Sequence, residues 1–288
     1  MNRNFILNAD DLGMSKTRNK AILDACQKGF LKSTSLCVNG DEFDDAVKNV
    51  ILRCPELGVG VHLNIIEGRA LIQKSSLTNS IGNFRLSFIQ LLLRSRNKKF
   101  LEDVEKEFRA QIEKALEKIK IDHLDSHIHT HGIPGIFKIV AALSKEYGIP
   151  CIRTQHEKHY IVPGNKNNIT LAFAINQIKI FLLNTFTGEN RKVLDCSHKT
   201  NDFLIGIGYT AMMDSRTIEY GLKKFIRKDD DIVIEALFHP DANCQNDEYQ
   251  ISFNRELEKK IKTMGFTITN YSGLITSIRK YNEFCCSI

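Results

Sequence analysis

The stretch NFILNADDLGMSKTRNKAILDACQKG, residues 4–29, decides the fold of this chain. An apolar run at residues 5–8 ends in polar residues, which is typical of a short buried strand. Ser15 then offers a helix N-cap, apolar residues recur at helical spacing up to Gln27, and Gly29 is a common helix stop. Residues 5–29 therefore predict a strand, a loop and a helix, in that order.

The same alternation returns along the chain. Further strands are predicted at residues 33–38, 58–63, 123–126, 151–153, 232–238 and 266–269, and further helices at 43–53, 100–119 and 135–147, with a last helix after Ser272. Alternating strands and helices predict a parallel sheet, and no glycine-rich dinucleotide fingerprint follows the first strand. Seven or eight such units in 288 residues favour an α/β fold, namely a closed or partly closed (β/α) barrel that is either regular or distorted. We expect this barrel to form a single domain over residues 1–288.

Two segments, at about 71–99 and 155–192, do not fit the alternation and are interpreted as insertions in βα loops. In such a barrel these loops emerge on the face that carries the active site. The apolar run at 171–186 is too hydrophobic to lie wholly in solvent, so we expect it to cover the barrel mouth or to pack against a second subunit. We therefore expect a homodimer.

The composition argues against several classes of protein. A net charge of +6 with interspersed signs gives little support to nucleic-acid binding. The eight cysteines form no CxxC pair, which is typical of reduced thiols in a cytoplasmic protein. The first apolar segment runs directly into two aspartates, and no stretch is long and apolar enough for a membrane span. We expect a cytoplasmic enzyme that binds neither membrane nor nucleic acid.

Three groups of chemically competent residues follow predicted strands. Asp10 and Asp11 come after the first strand, His62 ends the strand GVGVHL, and four histidines stand at positions 123, 127, 129 and 131. The carboxyl ends of parallel strands meet at one face, so these residues are expected to lie together. Two adjacent aspartates repel each other unless a cation offsets their charge. A helix N-cap or a solvated turn is the alternative interpretation of the pair.

The histidine cluster indicates a metal site. In an extended chain, alternate side chains project to the same side, so His127, His129 and His131 are predicted to converge on one cavity. One Asp and two His form a common ligand set for zinc and similar divalent ions.

Four segments carry a family resemblance: NADDLGMS at 8–15, GVHLNIIEGRAL at 60–71, HLDSHIHTHGIPGIF at 123–137 and EALFHPD at 235–241. They resemble the motifs of the YdjC-like carbohydrate deacetylases, which include the ChbG-type chitooligosaccharide deacetylases and are distantly related in fold to the NodB polysaccharide deacetylases. The resemblance implies a NodB-like barrel and removal of N-acetyl groups from an amino sugar or a short chito-oligosaccharide. It also implies one divalent ion: zinc by ligand softness, with magnesium, manganese, cobalt or nickel as alternatives.

Carried over position by position, the resemblance implies roles for individual residues. Asp11, His62 and His127 would be the metal ligands, Asp10 the general base, and Asp125 the partner that orients a ligand histidine.

The other assignments are less direct. His239 would be the general acid, with His129 or His131 as alternatives for that role. If they are not the acid, His129 and His131 would orient a metal ligand or bind the substrate. Arg153 could orient Asp10, meet a substrate oxygen or form a surface salt bridge, and Asn64 is expected to reach the pocket.

Two other functions are compatible with the sequence. A metal-dependent phosphoesterase on the same kind of barrel would need further ligands for a second metal. A non-catalytic sugar-binding protein would have no need to keep the paired aspartates.

Overall fold

The computed structural model describes residues 2–226, 231–243 and 247–275. Its eight described strands form one sheet, in which every ladder is parallel. The strands are β1 Arg3–Leu12, β2 Ser33–Leu36, β3 Gly58–Leu63, β4 His123–Ser126, β5 Cys151–Ile152, β6 Phe203–Ile205, β7 Ile232–Phe238 and β8 Phe266–Thr269. The spatial order is β5-β4-β3-β2-β1-β7-β6, with β8 paired to β1.

Strand β1 is the centre of this sheet. Its residues 3–9 pair with the whole of β7, residues 3–6 also pair with β8, and residues 8–12 pair with β2. Every β1 residue from position 4 onward is buried. This explains the unbroken apolar run at residues 5–7, since strands of parallel α/β sheets are covered on both faces.

The sheet curls into a partly closed barrel. Within the described ranges no ladder joins the edge strands β5 and β6, but the chain just before β6 bridges the gap. The Ile152 N–H donates to the Lys199 carbonyl at 2.9 Å, and the Leu204 N–H donates to the His156 carbonyl at 2.7 Å. The predicted seven- or eight-stranded, partly closed α/β barrel is confirmed.

Helices cover the outside of the sheet. They are α1 Lys16–Lys28, α2 Phe43–Asp45, α3 Phe88–Arg94, α4 Lys98–Leu116, α5 Pro134–Glu146, α6 Leu171–Asn190, α7 Ser215–Phe225, α8 Asp247–Gln250 and α9 Arg255–Thr263. Helix α2 continues as a π turn, Ala46–Val50, and a 3-10 turn, Ile51–Arg53. Strand β6 and the helices α7, α8 and α9 were not predicted from the sequence. Residues 271–275 are helical, and the rest of the predicted last helix lies outside the described residues.

Both predicted insertions carry a helix, and both helices contribute to one hydrophobic cluster. Phe88 of α3 packs against this cluster, which includes Ile180 and Leu183 of α6. The far end of α6 reaches the turn after β4, where Asn190 Nδ2 donates to the Gly132 carbonyl at 2.8 Å. The second insertion therefore lies against the histidine-rich segment.

The barrel interior contains a network of polar side chains. The ring of His123 lies inside it and stacks on Tyr271, with ring centroids 4.2 Å apart. This packing requires Gly60 in β3, because a Cβ there would come within 2.4 Å of the His123 ring. The apolar core lies instead between the sheet and the helices.

Candidate active site

Asp10 and Asp11 occupy the carboxyl end of β1 rather than the loop beyond it, where they were expected. Both are buried. Asp11 has a φ of 69°, a left-handed conformation that Asp tolerates better than most residues. Side chains of successive strand residues normally point to opposite faces. Here both carboxylates come within reach of His62, because the backbone turns at Asp11.

Asp11, His62 and His127 come together around one point. Asp11 Oδ1 is 2.9 Å from His127 Nδ1 and 3.4 Å from His62 Nε2, and the potential ligand atoms of all three lie within 4.8 Å of one another. Arg18 Nη1 donates to the other oxygen of Asp11. One carboxylate oxygen and two imidazole nitrogens suit zinc and similar divalent ions, with positions left for water and substrate.

The charge of Asp11 is fixed by its neighbours. Burial alone would raise the pKa of Asp11, but hydrogen bonds from His127 and His62 hold it well below its usual range. A carboxylate kept ionised in a buried site is what a cation-binding ligand requires.

Behind His62 stands Asp125, at the end of the neighbouring strand β4. His62 Nδ1 is 2.8 Å from Asp125 Oδ1, so His62 Nε2 is the nitrogen that faces Asp11. Ser35 Oγ donates to the other Asp125 oxygen at 2.7 Å. A carboxylate behind a ligand histidine fixes its tautomer and ring orientation.

A single buried guanidinium organises three carboxylates. Arg153 is bidentate to Asp10, with both N–O distances 2.8 Å, and contacts Asp125 at 2.6 Å and Glu235 at 2.6 Å. Burial alone would raise the pKa of Asp10, but Arg153 and His62 outweigh it and lower the pKa. Arg153 is fully buried, so the surface salt bridge considered for it is wrong.

The expectation that His127, His129 and His131 converge through an extended chain is wrong. The segment His127–Gly132 forms a 3-10 turn in which Ile128 and His129 have φ values of 52° and 57°. This turn leaves His127 at the site and carries His131 beneath it. His131 Nδ1 lies 2.5 Å from Ser126 Oγ, and its Nε2 lies 2.9 Å from the Arg153 carbonyl.

His129 and His131 are both kept neutral. Burial is the main cause for each, and it lowers the pKa of His129 to about 3 and that of His131 to about 4, with the charge of Arg153 acting in the same direction. His129 Nδ1 is buried without a hydrogen-bond partner.

His239 follows β7 on the opposite side of the site. Its backbone N–H donates to Glu248 Oε2 at 2.7 Å, and its ring Nδ1 is 3.6 Å from the same oxygen. Burial lowers the pKa of the His239 ring, but the contact of the ring with the Glu248 carboxylate and the charges of Asp11 and Asp10 give a net increase. Its side chain is 28% exposed, so it can reach a bound molecule.

Asn64 does not face the pocket as expected. Its side chain accepts from the N–H of Ile66 and Glu67 and donates to the Glu67 carbonyl at 2.8 Å, so it shapes the loop after β3. Glu67 itself lies 3.2 Å from His127.

Sequence reasoning did not single out the site neighbours Arg18, Glu67, Glu235 and Glu248. Two of them, Glu67 and Glu235, lie inside the motifs quoted above, as the only glutamates of those segments. Their place inside these motifs is the sequence feature that could have identified them as site residues.

One further group of potential ligands exists in the described ranges: Asp10, His62 and Asp125. It shares His62 with the first group, and both of its carboxylates already bind Arg153. The described residues therefore offer one independent metal site rather than two.

Comparisons with known proteins identify relatives named as deacetylases. A carbohydrate deacetylase of Clostridium beijerinckii is 38% identical over 148 residues, which are 51% of this chain and 58% of that protein. A chitooligosaccharide deacetylase of Escherichia fergusonii is 35% identical over 153 residues, 52% of this chain and 58% of that protein. The matched region thus spans less than two thirds of the length of either relative.

The fold is also found in a solved structure, that of EF3048 from Enterococcus faecalis V583, to which cleavage of cellobiose phosphate has been provisionally assigned. Its TM-score is 0.73 at 22% sequence identity, and the alignment covers 95% of this chain and 99% of that one. In the part of this chain that the structure describes, no helix combines the length and apolarity needed to cross a bilayer.

The model of the YdjC-like protein family matches residues 4–266, which include all four sequence motifs and every residue of the candidate site. The resemblance drawn from those motifs is confirmed: the chain belongs to the YdjC-like family.

Proposed function

We propose that this protein is a metal-dependent carbohydrate deacetylase that hydrolyses N-acetyl groups of an amino sugar or a short chito-oligosaccharide. One observation carries the proposal: Asp11, His62 and His127 face a common point beside Asp10, which Arg153 holds ionised. The relatives from Clostridium beijerinckii and Escherichia fergusonii, named as deacetylases, support the same reaction class.

Asp11, His62 and His127 would hold one divalent ion, with zinc favoured by the two imidazole ligands and magnesium, manganese, cobalt or nickel as alternatives. When bound, the ion would polarise the acetyl carbonyl and make the attacking water more acidic. Asp125 would keep His62 oriented with Nε2 toward that ion.

Asp10 would act as the general base. Its carboxylate is fixed on both oxygens by Arg153, and Asn8 Nδ2 also donates to it at 2.7 Å. Held in this way, it would accept a proton from the attacking water without moving. Arg153 thus orients the base, and its complete burial argues against a direct role in binding substrate.

His239 would act as the general acid for the leaving amine. Three histidines compete for this role, and their surroundings separate them. His129 and His131 are held neutral, whereas Glu248 stabilises the protonated form of His239. His131 is also fixed by Ser126 and the Arg153 carbonyl, which leaves it unable to reach a substrate. Neutral His129, which is partly exposed, would instead bind substrate.

The two alternative functions receive less support. A phosphoesterase with two metals would need a second independent ligand set, and Arg153 neutralises the only other candidate group within the described ranges. A sugar-binding protein would gain nothing from a buried base held ionised by an arginine.

Acetate release from N-acetylglucosamine and its oligomers, compared with phosphate release from p-nitrophenyl phosphate, tests the proposal. We expect acetate release that a chelator abolishes and that added zinc or another divalent ion restores. Phosphate release alone, or acetate release unaffected by complete metal removal, would overturn it.

We also propose that the protein forms a homodimer through α6. One face of this helix packs on the protein, while Leu171, Ile175, Ile178 and Phe181 line the outer face, each 45–77% exposed. Such a continuous apolar stripe is unusual on a monomer surface. Sedimentation of the Ile178→Lys variant should then show a monomer where the unmodified protein shows a dimer, with Lys179→Ala as the control. A monomeric unmodified protein would refute the proposal.

A further inference from the structure

Glu67 lies directly behind the candidate metal ligand His127. Its Oε2 is 3.2 Å from His127 Nε2, and its side chain is 61% exposed, against 13% for His127. The other ring nitrogen, Nδ1, is 2.9 Å from Asp11 Oδ1. The two nitrogens of His127 therefore face different partners: Nδ1 faces the point shared with Asp11 and His62, and Nε2 faces Glu67.

The backbone that carries Glu67 is held by one amide side chain. Asn64 Oδ1 accepts from the N–H of Ile66 at 3.0 Å and of Glu67 at 3.1 Å, while its Nδ2 donates to the Glu67 carbonyl at 2.8 Å. Gln111 is hydrogen-bonded to the N–H and the carbonyl of Asn64, at 2.9 and 2.7 Å. A buried scaffold therefore fixes the position of residue 67, although its carboxylate lies in solvent.

We infer that Glu67 is a positioning residue for the metal site: it accepts a hydrogen bond from His127 Nε2–H and so directs Nδ1 toward the ion. The inference rests on the proposed metal site. Ligand histidines usually donate their second N–H to a carboxylate, a carbonyl or a water. Asp125 occupies that place for His62, at 2.8 Å. Each candidate ligand histidine thus has its own carboxylate partner. In His62, Nδ1 faces the carboxylate and Nε2 faces the proposed ion site, whereas in His127 Nε2 faces the carboxylate and Nδ1 faces the ion site.

The solvent exposure of the Glu67 side chain limits how much its loss can weaken metal binding. Loss of such a partner typically weakens metal binding by about 10- to 100-fold. Water can replace a solvent-exposed acceptor more easily than a buried one, so the loss of Glu67 should fall near the lower limit, about 10-fold.

Titration of the metal-free protein with Co²⁺, followed by the visible spectrum of the bound ion, tests the role without relying on activity. We compare Glu67→Ala, Glu67→Gln and the control Glu102→Ala, which removes an exposed glutamate from α4. We expect Glu67→Ala to bind Co²⁺ about 10-fold more weakly with an altered spectrum. Glu67→Gln should lie in between, because its amide oxygen accepts the same hydrogen bond, and Glu102→Ala should match the unmodified protein.

The outcomes separate this inference from the proposed function. An unmodified protein that binds no Co²⁺ at this site would overturn the proposed metal dependence and the positioning role with it. If the unmodified protein binds Co²⁺ and Glu67→Ala binds it equally well with the same spectrum, the positioning role alone is wrong. It is equally wrong if Glu67→Gln is as weak as Glu67→Ala, since charge rather than the hydrogen bond would then matter. Thermal unfolding of the metal-free variants checks that each is folded.

Discussion

The two sides of the candidate site are built differently. On the side of the proposed base, Asp10 and Asp125 are buried, and Arg153 binds both at distances of 2.6–2.8 Å. On the side of the proposed acid, His239 is partly exposed, and its Nδ1 is 3.6 Å from Glu248. The charge state of the base is therefore set by close contacts in the protein interior, whereas that of the acid depends on a longer contact with Glu248 and on the charges of Asp11 and Asp10.

This difference follows from the topology. Asp10, Asp125 and Arg153 come at the ends of β1, β4 and β5, so the curvature of the sheet brings them together inside the barrel. Glu235 in β7 and the hydroxyl of Tyr271, 2.6 Å from it, complete the network on the interior side. His239 and Glu248 come from chain segments beyond the sheet; Glu248 is buried there, but the His239 side chain is 28% exposed and remains accessible to solvent.

The largest effect is expected on the base side. Asp10→Asn should lower kcat by about 10²- to 10⁴-fold, because the amide cannot accept a proton from water. Metal affinity should change little, since Asp11, His62 and His127 are untouched, whereas His62→Ala should lose the ion. Steady-state acetate release and a metal titration measure the two effects, with the exposed Asp44→Asn as control. Unchanged turnover in Asp10→Asn would require another base.

Asp125→Asn should act on the same side through the metal. Its amide cannot hold His62 by charge, so metal affinity should fall by about 10- to 100-fold. Competition with a chromophoric chelator measures this. The loss should exceed that of Glu67→Ala, because Asp125 is fully buried and water cannot replace it. If the exposed Glu67 proved the more important partner, burial would not determine the strength of these contacts.

Much of the architecture was predictable from local sequence. The apolar runs of β1, β3 and β7 are long enough to stand out, and the parallel sheet follows from their alternation with helices. Strand β6 has three residues, Phe203–Ile205, and carries too little periodicity to be recognised. It is defined by its pairing with β7, which is a tertiary interaction.

The site was predictable where strands alone determine it. Asp11, His62 and His127 come together because parallel strands end at one face. The turn after His127 was not predictable from spacing, because Ile128 takes a left-handed conformation that a β-branched residue rarely adopts. The contacts of Arg153 and Glu67 depend on distant chain segments, and sequence offers only their residue types.

A moderate effect is expected on the acid side. Glu248 raises the pKa of His239, so Glu248→Gln should lower it while keeping an acceptor for the His239 N–H. The proposed acid works in its protonated form, so activity is lost as pH rises through this pKa. The alkaline limb of the kcat/KM profile should therefore move to lower pH in the variant. The surface variant Glu256→Gln should keep the original profile. An unmoved limb in Glu248→Gln would point to a different acid.

The smallest effect concerns the turn His127–Gly132, which follows β4. Ile128 has a φ of 52° and is 49% exposed, so its side chain gains little from burial while its backbone is strained. The left-handed conformation costs an ordinary residue about 1–2 kcal/mol, and Asn tolerates it better. Ile128→Asn should therefore raise the free energy of unfolding by about 1 kcal/mol.

Ile169→Asn is the matched control, since Ile169 is 93% exposed and its φ is not positive. Urea unfolding of both variants measures the difference, and KM for an N-acetylated oligosaccharide shows whether the exposed Ile128 also touches substrate. A destabilised Ile128→Asn variant would mean that the packing contacts of the isoleucine outweigh its backbone strain. Packing of Ile128, rather than the contacts of the flanking His127 and His129, would then stabilise this turn.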